Sequence, residues 1–340
     1  MTHNNSSNAP DSPIPVVFCA DKRFCQHMAV TMASLLANNP AHRFQLIAVF
    51  DEWDQETIER LSETVGRFQN AEISLKTFGT ASFSHFRVDR QIPLASYLRL
   101  FMTEFLPPDL DKLLYLDSDL IICGDIGELW ETDVTDYFLA AVPDPYSDNH
   151  VALGFGQDEK YFNAGVLLVN LAKWRDADVL PRLVTYAEEH TDILRYHDQC
   201  TLNAAFRGQV LFLPYRWNFP ARNADLPASA FGMAKEDFSR LRRHPAIVHY
   251  TTHVKPWLYA QEPHYKSLYY RYLRLTPWRN FRPPDRNLKT ALKKFVTMEK
   301  LKQVLKWRAP AFFRFLRQSL GVGDPFLRNV RDKFNGEYPC

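Results

Sequence analysis

The chain has 340 residues, 46% of them hydrophobic, with 25 Phe and 15 Tyr, which is enough to bury one sizeable core and excludes a disordered chain. Its net charge of +2 hides an asymmetry: residues 287–340 hold 12 Lys+Arg against 4 Asp+Glu, while residues 1–286 hold 29 against 35. Residues 1–14 are polar, read as disordered and carry no secretory signal; no apolar run is long enough to span a bilayer. The five cysteines (Cys19, Cys25, Cys123, Cys200, Cys340) lack metal or redox spacing and read as free thiols in a reducing compartment, the cytoplasm.

Pro15–Ala20 is a short apolar run that predicts a buried strand, followed by a polar turn over Asp21–Arg23 and a helix over Gln26–Ala37. Phe44–Phe50 predicts a second strand, Gln55–Phe68 a helix, and Ala71–Phe78 a third strand. This strand–helix rhythm points to a mainly parallel α/β sheet. Pro93–Phe105 reads as a helix with proline at its start, and Lys112–Leu116 as a strand. Phe138–Pro143 and Ala164–Asn170 predict strands, Pro181–His190 and Gln199–Phe206 helices, and Ala246–Tyr250 a last short strand. Pro283-Pro284 breaks the chain, so the main domain is set at residues 15–286 and a basic, aromatic tail at 287–340.

Four segments carry candidate chemistry. The strand Leu113–Leu116 runs into Asp117-Ser118-Asp119, two carboxylates that can share one hard cation at the carboxyl end of a sheet strand. A polar loop after a strand is the plain alternative. The strand opening at Asn163-Ala164-Gly165 pairs an amide with small residues, which suits close approach of a sugar, or a structural amide bonded to backbone. Asp198, before Gln199, reads as a helix N-cap, a functional carboxylate, or both. The run from His249 to Trp257 sets an imidazole six residues before Lys255, a combination that suits a cation and a phosphate; His253 is a competing imidazole.

Taken together, Phe18-Cys19-Ala20-Asp21, YLDSD, YFNAGVLLVNLAKW and HYTTHVKPW resemble glycosyltransferase family 8, the family of bacterial lipopolysaccharide glucosyl- and galactosyltransferases and of glycogenin. The resemblance covers about Pro15 to Trp257. It implies a GT-A fold, a UDP-sugar donor (UDP-glucose or UDP-galactose), Mn²⁺ or Mg²⁺, a saccharide or glycolipid acceptor, retention of configuration, and no nucleic-acid partner. By motif, Ala20 and Asp21 would meet uracil and ribose. Asp117, Asp119 and His249 would bind the metal, and Lys255 the diphosphate. Arg99 would lie near the phosphates and donor sugar, and Asn163, Asp198 and Gln199 would line that sugar. Thr252 stands where the family usually carries glycine. Two other readings share the residues: a sugar-nucleotide-binding protein without turnover, and a glycoside hydrolase. Carboxylates one residue apart are badly placed for the latter, which holds them roughly 5–9 Å apart across the sugar.

In the tail, Leu288, Leu292, Phe295, Met298, Leu301 and Leu305 recur at helical spacing among lysines, and Phe312, Phe313, Phe315 and Leu316 follow. A helix packed on the main domain fits this pattern. Its basic, aromatic content favours a helix lying on the anionic inner face of the cytoplasmic membrane.

Overall fold

The computed structural model describes residues 12–79, 86, 94–145, 147, 149–156, 158–297 and 315. In chain order it contains β1 (Ile14–Cys19), α1 (Cys25–Asn38), β2 (Phe44–Phe50), α2 (Gln55–Gly66) and β3 (Ala71–Thr77). A 3₁₀ turn over Leu94–Phe101 runs into α3 (Met102–Phe105), followed by β4 (Lys112–Leu116), β5 (Leu120–Ile122), α4 (Ile126–Trp130), β6 (Leu139–Pro143) and β7 (Phe162–Asn170). Then come α5 (Leu171–Asp176), α6 (Val179–Glu189), α7 (His197–Ala205), β8 (Val210–Phe212), β9 (Phe219–Pro220), α8 (Lys235–Arg243), β10 (Ile247–His249), α9 (Lys266–Leu273) and α10 (Leu288–Thr297).

The large sheet has the order β3-β2-β1-β4-β7-β6-β8. Its strands run parallel except β7, which is antiparallel to both β4 and β6. Strict alternation divides each central strand between two cores. Val17, Leu113, Tyr115 and Leu167 face one side, and Val16, Leu114, Leu116 and Leu168 the other, against α1. A small second sheet, β5-β10-β9, pairs β10 antiparallel to β5 and parallel to β9. It is the local departure from a simple doubly wound plan.

The helix expected over 93–105 is mostly 3₁₀. Tyr97–Phe101 are all buried there, and the Arg99 side chain folds back to donate to Ser96 O at 3.2 Å. Pro93 lies outside the described residues. Helix α7 begins at His197, two residues earlier than expected, and its N-cap position is Tyr196, so Asp198 is not the cap. The four described cysteines, Cys19, Cys25, Cys123 and Cys200, are free thiols. No helix among the described residues is long and apolar enough to cross a membrane.

The chain forms two compact units: the described residues up to 253 together with 263–280, and residues 254–262 together with the described residues from 281 on. In the second unit Asp285 accepts hydrogen bonds from Tyr259 N at 2.6 Å and Ala260 N at 2.8 Å. Lys294 of α10 lies 4.7 Å from the Tyr259 ring centroid and pairs with Glu262. Leu288 and Leu292 of the tail stripe are exposed. Met298, Leu301, Leu305, Phe312, Phe313 and Leu316 lie outside the described residues.

Candidate active site

Pairing of the small sheet brings the candidate ligands together. His249 pairs with Leu120, the residue after Asp119, and Tyr250 N donates to Asp119 O at 3.0 Å. Asp117 N continues the large sheet by donating to Gly165 O at 2.8 Å. Two sheets thus end at one point, and the ligand atoms of Asp117, Asp119 and His249 all lie within 4.8 Å of one another. His249 Nε2 is 3.1 Å from Asp119 Oδ1 and 3.7 Å from Asp117 Oδ2. Two carboxylates and an imidazole are a donor set for a divalent cation of hard to borderline character, and these three residues fit one. Ser118 Oγ and Thr251 Oγ1, which flank the ligands in sequence, are buried without a hydrogen-bond partner among the described residues.

Asp117 is held from behind. Its Oδ1 accepts from Arg99 Nη2 at 2.8 Å and from Tyr115 Oη at 3.0 Å, which leaves Oδ2 toward His249. Arg99 is buried, and its Nε reaches Asp198 Oδ2 at 2.9 Å while its Nη1 donates to Ala164 O at 2.7 Å. The guanidinium also lies over the Tyr115 ring, 4.5 Å from the centroid. Burial opposes its charge, but Asp117 and Asp198 outweigh that and hold its pKa above the ordinary value. Burial pushes the Asp198 carboxyl up, and Arg99 opposes the shift.

The remaining sequence candidates are fastened around this pair. Gln199 Oε1 accepts from Ala164 N at 3.0 Å, and its Nε2 donates to Tyr161 Oη at 3.1 Å. Asn163 Oδ1 accepts from Gly165 N at 3.0 Å and from Asn218 Nδ2 at 2.8 Å, leaving Nδ2 as the group it can offer a ligand. Gly165 is required here: a Cβ on it would stand 2.3 Å from His249 Cε1 and 2.8 Å from Asp117 Oδ2. Ala20 is buried at the end of β1, where its N–H donates to Val49 O at 3.2 Å. Asp21 accepts from Arg23 N at 2.8 Å and pairs with the Arg23 guanidinium at 2.7 Å. Thr252 takes φ +71°, a left-handed conformation that disfavours a β-branched side chain. Lys255 belongs to the second unit, with Nζ 5.5 Å from the Trp257 ring centroid.

The first unit therefore gathers Arg99, Asp117, Asp119, Asn163, Asp198, Gln199 and His249. Sequence reasoning missed Tyr115 and Asn218, and it read Gly165 as room for a ligand where the structure sets the His249 ring and Asp117 Oδ2. Tyr115 stands inside the quoted YLDSD run, and its phenol was open to notice. Asn218 precedes a two-residue strand and gives no periodic signal.

Comparison with known proteins places the chain among relatives. A family profile described as glycosyl transferase family 8 matches residues 15–261. The chain is 27% identical over 285 residues to general stress protein A of Bacillus subtilis, covering 82% of this chain and 99% of that protein. It is 27% identical over 304 residues to a lipopolysaccharide 1,2-glucosyltransferase of Escherichia coli, covering 84% of each. Among solved structures, the galactosyltransferase LgtC in complex with donor and acceptor sugar analogues superposes with a TM-score of 0.68 at 27% identity, covering 80% of this chain and 98% of that one.

Proposed function

The chain belongs to glycosyltransferase family 8 and has the α/β GT-A fold, and on that premise we propose that it moves a hexose, glucose or galactose, from a UDP-sugar to a saccharide acceptor with retention of configuration. The observation that carries this reading is the convergence of Asp117, Asp119 and His249 at the meeting point of two sheets. The activity named for the Escherichia coli relative supports a lipopolysaccharide core or another surface glycan as acceptor.

Asp117, Asp119 and His249 would hold a divalent cation, Mn²⁺ or Mg²⁺, which when bound would supply positive charge against the diphosphate of the leaving UDP. The chain's own residues prepare that step. Arg99 and Tyr115 fix one oxygen of Asp117, so the other keeps its direction. Asn163, Asp198 and Gln199 line the sugar, Ala20 and Asp21 take uracil and ribose, and Thr252 and Lys255 serve the diphosphate by their places in the family motifs. Gln199 is an amide and a poor nucleophile, and Asp198 is buried against Arg99. We therefore favour attack by the acceptor hydroxyl from the leaving-group side, its proton passing to the β-phosphate. Residues 287–340 are proposed to rest on the inner face of the cytoplasmic membrane, a reading supported by their basic charge and by the exposure of Leu288 and Leu292.

Release of UDP from a panel of UDP-sugars, with Mn²⁺ and with EDTA, tests the reading. The expected result is release with one hexose donor, stopped by EDTA. Turnover in EDTA or an inverted product overturns it, and tight UDP-sugar binding without release identifies a non-catalytic binding protein. Full-length protein should sediment with anionic vesicles at low salt and less so as salt is added.

A further inference from the structure

His249 is held by a relay that begins at a backbone amide. Gly165 N donates to Asn163 Oδ1 at 3.0 Å, and since a backbone N–H only donates, that atom is the amide oxygen. Asn218 turns its Nδ2 to the same oxygen at 2.8 Å. This leaves Asn218 Oδ1 facing His249 Nδ1 at 2.9 Å. An amide oxygen only accepts, so Nδ1 carries a proton and Nε2 is the ring atom turned to Asp119 and Asp117.

We propose that Asn218 is the positioning residue for His249. It fixes the ring plane and the proton at Nδ1, so that the Nε2 lone pair points at the cation, and Asn163 fixes Asn218 in turn. The proposal rests on reading Asp117, Asp119 and His249 as a cation site. Burial makes the relay unforgiving: Asn218 is 1% exposed and His249 3%. Reversing the Asn218 amide would set N–H against N–H at His249 and oxygen against oxygen at Asn163, two repulsions in a dry site. Backbone pairing sets the spacing, because Asn218 immediately precedes β9, whose Pro220 pairs with His249. On another side the ring lies against Gly165, where no side chain can stand.

Two measurements test this on the full chain. In ¹⁵N-histidine NMR of the metal-free protein, with His249 identified by difference from His249→Gln, Nδ1 should carry a proton. A bare Nδ1 overturns the relay without any Asn218 variant having to fold. By calorimetry, Asn218→Ala should bind Mn²⁺ about 10–100-fold more weakly than wild type, and Asn218→Asp, which keeps an oxygen opposite Nδ1, should recover part of the loss. Wild-type affinity in Asn218→Ala overturns the proposal. If the wild-type protein binds no Mn²⁺ while Nδ1 is protonated, the cation-site reading fails and the relay stands.

Discussion

The two halves of the large sheet are built to different rules. In the half formed by β1, β2 and β3 the strands are parallel, helices α1 and α2 make the crossings, and the buried positions of β1 and β2 are apolar. In the half formed by β4, β7, β6 and β8 one strand is reversed and a second sheet abuts. That half gathers a buried guanidinium, a buried carboxylate and a buried imidazole. The first half is held by burial of apolar area, which tolerates exchange of similar side chains. The second depends on Arg99, Asp117, Asp198, Asn163 and His249, which are bonded to named partners, so that losing one partner strands another.

Five substitutions sharpen that contrast. The largest effect is expected at the ligands: Asp119→Ala should lower transfer by at least about 10²-fold, with Asp117→Ala close behind, since the diphosphate charge loses its counterweight. Full activity of Asp119→Ala in EDTA would remove the cation from the reaction altogether. Next is Arg99→Ala, which takes the guanidinium from the buried Asp198 and leaves the half-buried Asp117 with the Tyr115 hydroxyl alone on Oδ1. We expect a stability loss of about 3–5 kcal/mol by denaturant titration, together with loss of turnover. A stable, active Arg99→Ala protein would show that the second half is as tolerant as the first. Gly165→Ala follows, because its Cβ must push the His249 ring aside. Mn²⁺ affinity should fall about tenfold or more while the protein stays folded.

The smallest effect belongs to the regular half. Asp54 caps α2 by accepting from Thr57 N and Thr57 Oγ1, both at 2.9 Å, and pairs with Lys22 at 3.0 Å. The bond from the Thr57 backbone, then that from Lys22, holds the Asp54 pKa down at about 2. A depressed carboxyl stabilises above its unfolded value, near 3.8, and that contribution is lost as pH falls through the folded value near 2. Asp54→Asn should therefore lower the Tm slightly at pH 7, flatten its dependence over that acid window, and leave transfer unchanged. An activity loss in this variant would break the division between the halves.

The same division explains what could be read in advance. Phe44–Phe50 is a strand with the bounds its apolar pattern predicts, and Lys112–Leu116 likewise, because the apolar runs Leu46–Phe50 and Leu113–Leu116 have few other places to go. Strands β5, β8, β9 and β10 are two or three residues long, too short to display a period, and only β10 lies inside an expected strand, Ala246–Tyr250. Asp117, Asp119 and His249 were legible as residue types, and the structure brings them together. The antiparallel pairing of β10 with β5, which causes that meeting, left no mark in the chain. Arg99 was expected near the phosphates and donor sugar; within the chain its contacts run to Asp117, Asp198, Ala164 O and Ser96 O, partners 18 to 99 residues away as well as a neighbour, which no local pattern announces.

The second compact unit is discontinuous, and this bears on how the chain is made. Residues 254–262 leave the ribosome before Asp285 and Lys294, to which Tyr259, Ala260 and Glu262 are bonded. At elongation rates of about 5–20 residues per second, the stretch carrying Lys255 waits a second or more for its partners. A chain released early, at about residue 284, would hold Asp117, Asp119 and His249 yet lack the carboxylate that receives the amides of Tyr259 and Ala260. The bonds that close this unit thus form only once translation has passed Lys294.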